Sequence, residues 1–154
     1  TAGRPALLWW GGTMFEYLMP HLVQHDYRGS LLAESCRAAV ANFRKGGKGG
    51  HIVNIAARPA LNPRQGANMT AYTASKAAVA AFTVALAEEL KNEDISVIAL
   101  APSTLDTPAN RKDMPNAKHD TWVKPTAIAE LIVAHCSLSE TINSGVVMPV
   151  YGKA

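Results

Sequence analysis

Apolar and polar positions along the chain fall into blocks of two kinds. From 21 to 44, Leu22, Leu31, Leu32, Val40 and Phe43, with Ala33, Ala38, Ala39 and Ala41 among them, suit one long helix. The run Lys45-Gly46-Gly47-Lys48-Gly49-Gly50 should end it, because glycine stops helices and makes tight links. Residues 51–57 are a short apolar run rich in β-branched side chains, bounded by glycines and Pro59, which predicts a buried strand of a parallel sheet. A loop rich in Pro, Asn and Gly over 59–68 leads to an alanine-rich segment, a predicted helix over 72–91. A second buried strand is expected over 95–101, closed by Pro102. Residues 103–124 hold two prolines and many polar residues, too long for a mere connection and expected to act as a lid or binding segment. A helix over 126–137 and a strand over 145–150 complete the chain.

Helix and strand therefore alternate, which predicts an α/β fold: a parallel sheet with helices on its faces. Ligands of such sheets lie at the carboxyl ends of the strands. Here those ends are Ala57, the segment from Pro102 onward, and Tyr151. Residues 1–23 resist assignment, with Pro5, Trp9-Trp10 and Gly11-Gly12 reading as an irregular apolar loop.

Composition narrows the class. At 154 residues, 48% hydrophobic and 18% charged, the chain has the makeup of about one globular domain. No run approaches the ~20 apolar residues that cross a bilayer, and the first residues lack a signal-peptide layout, so a cytoplasmic location is expected. Cys36 and Cys136 form no disulfide framework or CxxC site. The net charge of +3 is modest, and Arg44, Lys45 and Lys48 cluster without aromatic neighbours, against a nucleic-acid partner. His21, His25, His51, His119 and His135 show no HExxH motif and no ligand spacing with cysteine, so no metal is expected.

The chemistry is concentrated in Tyr72-Thr73-Ala74-Ser75-Lys76. Four residues apart on a helix, Tyr72 and Lys76 share one face. A phenol titrates near ~10, and a nearby ammonium stabilises its phenolate and lowers that value. A tyrosine tuned this way can give a proton to a substrate oxygen or nitrogen and recover it.

Four segments together, YTASK with its small residues, GGHIVNIAA before it, then ISVIALAPSTLDTP and SGVVMPVYG, resemble the short-chain dehydrogenase/reductase family. The resemblance implies the second half of a Rossmann-like doubly wound domain and an NAD(P)H-dependent reductase. In it Tyr72 is the proton donor, and Lys76 lowers its pKa and hydrogen-bonds the nicotinamide ribose. Leu105 and Thr107 would line the carboxamide, with Pro102 turning the chain there, and Gly3 would close the family's NNAG strand end. Residues 105–115 resemble more closely the dihydropteridine reductase subgroup, which implies a quinonoid dihydropteridine or a similar conjugated imine or ketone as substrate. Ala57, Met114 and Trp122 are the candidate substrate contacts.

Three positions depart from the family pattern: Ala56 and Ala57 stand where its catalytic serine should lie, Asp26 replaces its helix asparagine, and Ser103 replaces a glycine. Losing one preorganised donor commonly costs roughly 10²–10³ in rate when a carbonyl must be polarised. The dihydropteridine reductase subgroup also lacks that serine. The Gly-rich dinucleotide turn is not found in the 154 residues, so residues 1–154 are expected to be a single incomplete domain lacking the amino-terminal dinucleotide-binding half. NAD and NADP stay undistinguished, because the residue reading the ribose 2′ position belongs to that half. A homodimer or homotetramer through helices 21–44 and 72–91 is expected by resemblance. The alternative is a truncated, non-catalytic remnant that serves as an oligomerising or binding module.

Overall fold

A computed structural model of the protein describes residues 41, 44–46, 49–137 and 142–153. The chain divides into two compact units, Thr1–Gly50 and His51–Ala154. In the first, residues 41 and 44–46 are helical, so helix persists to Gly46, past the expected end at Arg44. The rest of the expected helix over 21–44, with Gly3, Trp9, Trp10, Asp26 and Cys36, lies outside the described residues.

The second unit is built on three strands, β1 (Gly50–Ile55), β2 (Ile95–Pro102) and β3 (Val147–Val150), hydrogen-bonded in that order as a parallel sheet. β2 and β3 run parallel with Ala99 beside Val147 and Pro102 beside Val150. Pro149 lies within β3, tolerated because among the described residues β3 has a partner strand on one side only. All eight residues of β2 are buried, as a strand covered on both faces requires.

Side chains alternate across β2 and give each face its own helix. Ile98 and Leu100 point to one side, where they meet Val123 and Ile128 with Leu131 and Ile132 of α4 (Pro125–Cys136). The opposite side is covered by α2 (Thr70–Leu90), whose Val79, Thr83, Leu86, Ala87 and Leu90 are buried. Thr83 is a hydroxyl in a fully buried helical position, and it is satisfied twice. It donates to Val79 O at 2.8 Å, and it accepts from Asn54 Nδ2 of β1 at 2.9 Å. This bond satisfies Asn54, a polar side chain buried among the apolar residues of β1. At the opposite ends of the strands, Ser96 and His135 pair at 3.1 Å, with His51 edge-on to His135 at 5.2 Å between ring centroids.

Two stretches expected as loops carry structure. Residues 59–68 contain most of α1 (Arg58–Leu61) and a 3-10 turn, Pro63–Gly66. Within 103–124 lie α3 (Pro108–Asp113) and a second 3-10 turn, His119–Thr121. The sequence signal for α3 is Thr107-Pro108: Thr107 accepts from Asn110 N at 3.2 Å as the cap, and proline takes the first turn where no amide is needed.

Candidate active site

Where the strands end, the chain opens a cleft of about 480 Å³. Every site residue expected from the sequence that the structure describes lines it: Ala57, Tyr72, Lys76, Pro102, Leu105, Thr107, Met114 and Trp122. Gly3 lies outside the described residues. The cleft has two walls, one made by α1 and the start of α2, the other by the segment that follows β2.

The helical wall follows from local sequence. Ala56 ends β1 with a bond from its N–H to Leu100 O at 2.8 Å, and Ala57 turns into α1 in extended backbone. Gly66 then lets the chain pass against α2. A methyl group there would sit 1.8 Å from Thr73 Oγ1 and 3.0 Å from Thr73 Cβ, so only glycine admits the approach. Thr73 is the residue after Tyr72, so this contact sets the first turn of α2. Tyr72 is 46% exposed on the cleft, while Lys76, one turn on, is 7% exposed. Lys76 Nζ donates to Ile55 O at 2.9 Å, which ties α2 to the end of β1.

The expected lowering of the tyrosine pKa is corrected by this geometry. Lys76 Nζ lies 5.8 Å from the Tyr72 ring centroid and spends one donor on Ile55. Burial pushes the phenol above its ordinary value, and burial also lowers Lys76. Desolvation therefore outweighs the ammonium in this arrangement, and Tyr72 holds its proton through neutral pH.

The second wall is held by main-chain bonds. Val123 N donates to Thr104 O at 3.0 Å and Asp106 N to Val123 O at 2.8 Å, which folds the segment back on itself beside Leu105. Asn110 Nδ2 donates to Leu105 O at 2.8 Å. Ser103 N and Oγ donate to Val150 O at 3.0 Å and Tyr151 O at 2.9 Å. Arg111 grips Asp106 through two bonds of 2.5 and 2.9 Å, and that hydrogen bonding, with its charge added, holds the carboxyl below its ordinary value. Trp122 packs against His119 with ring centroids 4.5 Å apart.

Residues 31–118 match the family model of short chain dehydrogenases. The chain belongs to the short-chain dehydrogenase family. Over 134 residues it is 34% identical to the uncharacterized oxidoreductase YohF of Escherichia coli K12, a match covering 78% of this chain and 49% of that protein. It is 39% identical over 85 residues to dihydropteridine reductase of Dictyostelium discoideum, covering 54% of this chain and 36% of that one. Among solved structures, the 3-ketoacyl-(acyl-carrier-protein) reductase of Brucella melitensis complexed with NADH matches with a TM-score of 0.63 and 30% identity, over 79% of this chain and 52% of the other. The chain spans about half the length of these relatives or less.

Family membership accounts for the parallel sheet and for the position of the cleft at its carboxyl edge. Sequence reasoning missed several other residues of the cleft, among them Arg58, Gln65, Met69 and Asn110. Arg58 directly follows Ala57 at a strand end, and that position was its only signal. Among the described residues no cluster of three His, Cys, Asp or Glu could hold a metal, and no helix is long and apolar enough to cross a membrane.

Proposed function

We propose that this chain is the catalytic half of an NAD- or NADP-dependent reductase in which Tyr72 donates the proton to a conjugated imine or carbonyl substrate. What supports this is the convergence of Tyr72, Lys76, Leu105 and Thr107 on one cleft at the strand ends. The cleft suits a nicotinamide on its chemistry. Lys76 places an ammonium on the lining, tied to Ile55 O, and Thr107 accepts from Asn110 N, which leaves its own O–H to donate. A reduced nicotinamide supplies hydride when bound, and the protein supplies orientation and the proton.

Within that division, each residue has one task. Tyr72 carries its proton at neutral pH as an ordinary phenol does, and burial, which raises its pKa further, keeps it loaded for donation. Lys76 stands one helical turn behind, where it can stabilise the phenolate that remains and hold the ribose. Ala57 offers no hydroxyl, so polarisation of the substrate oxygen or nitrogen falls to Tyr72 alone. A substrate that is already electrophilic needs least from a second donor. A quinonoid dihydropteridine is such a substrate, and the likeness to dihydropteridine reductase supports it as one member of the class.

In this proposal an amino-terminal dinucleotide-binding half completes the domain, and helices 21–44 and 72–91 pair in a homodimer or homotetramer. Tyr72→Phe tests the role in a protein that joins this chain to such a half. Turnover with NADH or NADPH should fall by roughly 10²–10⁴ with the fold intact, as expected for loss of a general acid. Near-normal turnover in that variant excludes the reductase role and returns the chain to the alternative of a binding module. Quenching of tryptophan fluorescence by NADH separates the same two: a micromolar response supports the enzyme, and no response at millimolar supports the remnant.

A further inference from the structure

Resting on the reductase reading above, we propose that Arg58 selects substrates that carry a carboxylate beside the reducible carbonyl or imine. The described residues lining the cleft include two cations, Arg58 and Lys76, and no acid. A cavity walled by one sign of charge concentrates ligands of the other. The acid nearest in sequence to that lining, Asp106, is already held bidentately by Arg111 and is not among the residues that line the cleft.

Arg58 is also held ready. Its Cζ lies 4.8 Å from the centroid of the Tyr151 ring, stacked on an aromatic face. Tyr151 is itself fixed through its carbonyl by Ser103 Oγ at 2.9 Å. Stacking occupies the face of a guanidinium and leaves the N–H groups at its edge, which match the two oxygens of a carboxylate. Among the described residues no carboxylate pairs with Arg58. Its neighbour in the chain is Ala57, where the family's serine donor is missing, so the guanidinium stands at the strand end that lacks a side-chain donor.

A substrate bound this way is anchored at its anionic end by Arg58 while Tyr72 meets the reducible atom. A neutral quinonoid dihydropteridine would bind in the same cleft without that anchor. The anion could also be a phosphate of the dinucleotide, and the two sources are separable. The test uses benzoylformate and its methyl ester, which share a ketone and differ by one charge, with the dissociation constants measured by calorimetry on the protein that joins this chain to a dinucleotide-binding half, alongside that of NADH.

The unmodified chain should bind benzoylformate at least about tenfold more tightly than the ester, the scale of one charged hydrogen-bonded contact. Arg58→Gln should abolish that preference and leave NADH unchanged. Arg58→Lys, which keeps the charge and loses the fork, should retain part of it, and it stands in if the glutamine variant does not fold. Equal weakening of acid and ester, loss confined to NADH, or no saturable binding of either ketone overturns the proposal. Failure of the reductase reading looks different: the charge preference persists, and the protein oxidises no NADH or NADPH with any ketone, with or without Tyr72→Phe.

Discussion

The two walls of the cleft are made by different means. On one side, Tyr72 and Lys76 sit on a helix of 21 residues, so their separation is set by helical pitch and by the burial of Val79, Thr83, Leu86 and Leu90 behind them. On the other, Leu105, Thr107, Met114 and Trp122 sit on a segment with a six-residue helix and a three-residue 3-10 turn, none of whose helical residues is buried. Main-chain bonds at Thr104, Asp106 and Val123, together with caps, hold that side. The first wall is a rigid register for chemistry. The second is an adaptable surface whose shape rests on a few bonds, which suits the part of a site that sets which molecule is accepted.

The comparison breaks most severely at Lys76. Replacing it by methionine removes the bond to Ile55 O and leaves that carbonyl without a side-chain donor, at a cost of about 1–3 kcal/mol in stability. Turnover should fall by about 10² or more, because the cation behind the phenolate is lost as well. Thermal melting and single-turnover reduction measure the two effects separately. If turnover survives with stability lowered, Lys76 is a structural tie and the helical wall has no chemical partner for Tyr72.

A matched pair of glycines tests the walls against each other. In Gly66→Ala the new methyl group meets Thr73 at the first turn of α2. In Gly152→Ala it meets Thr121 O at 2.9 Å, from a backbone with φ of +63° that alanine adopts poorly. Each should cost about 1–3 kcal/mol in stability. Their kinetic signatures should differ: Gly66→Ala lowers kcat by moving Tyr72, and Gly152→Ala raises KM by moving Trp122. The same signature from both variants would mean that the walls move as one body.

The helical wall was also the legible one. Tyr72 and Lys76 four apart in an alanine run, and strands punctuated by Gly50, Pro59 and Pro102, are local patterns, and the elements formed within a residue or two of the expected ends. The fold class followed from their alternation. The second wall was legible only in part, since Thr107-Pro108 signals a helix start but proline-rich composition pointed to loop. Arg58 had no signal beyond its place after Ala57 at a strand end. Its place depends on stacking against Tyr151, 93 positions later, and no periodicity encodes that contact. The pKa of Tyr72 was misjudged for a related reason. Spacing on a helix fixes which groups are neighbours, but the choice Lys76 makes among acceptors, here Ile55 O, is tertiary.

The smallest effect concerns the end of the sheet away from both walls, and it asks whether they share one stability. His135 is 7% exposed, bonded to Ser96 Oγ and edge-on to His51. Burial lowers its pKa from the ordinary 6.5, and the charge of His51 adds to the shift. The folded state therefore binds fewer protons than the unfolded state in the window between the lowered value and 6.5. Its stabilisation is fully present above about 6.5 and is lost as pH falls through the folded pKa. Melting temperature should accordingly decline on acidification below pH 6.5, and His135→Gln, which keeps a partner for Ser96, should flatten that decline. Because β1, β2 and α4 support both walls, kcat and KM should deteriorate over the same pH interval. A fall in melting temperature that leaves KM untouched would show that the bonds at Thr104, Asp106 and Val123 hold the second wall independently of the sheet beneath it.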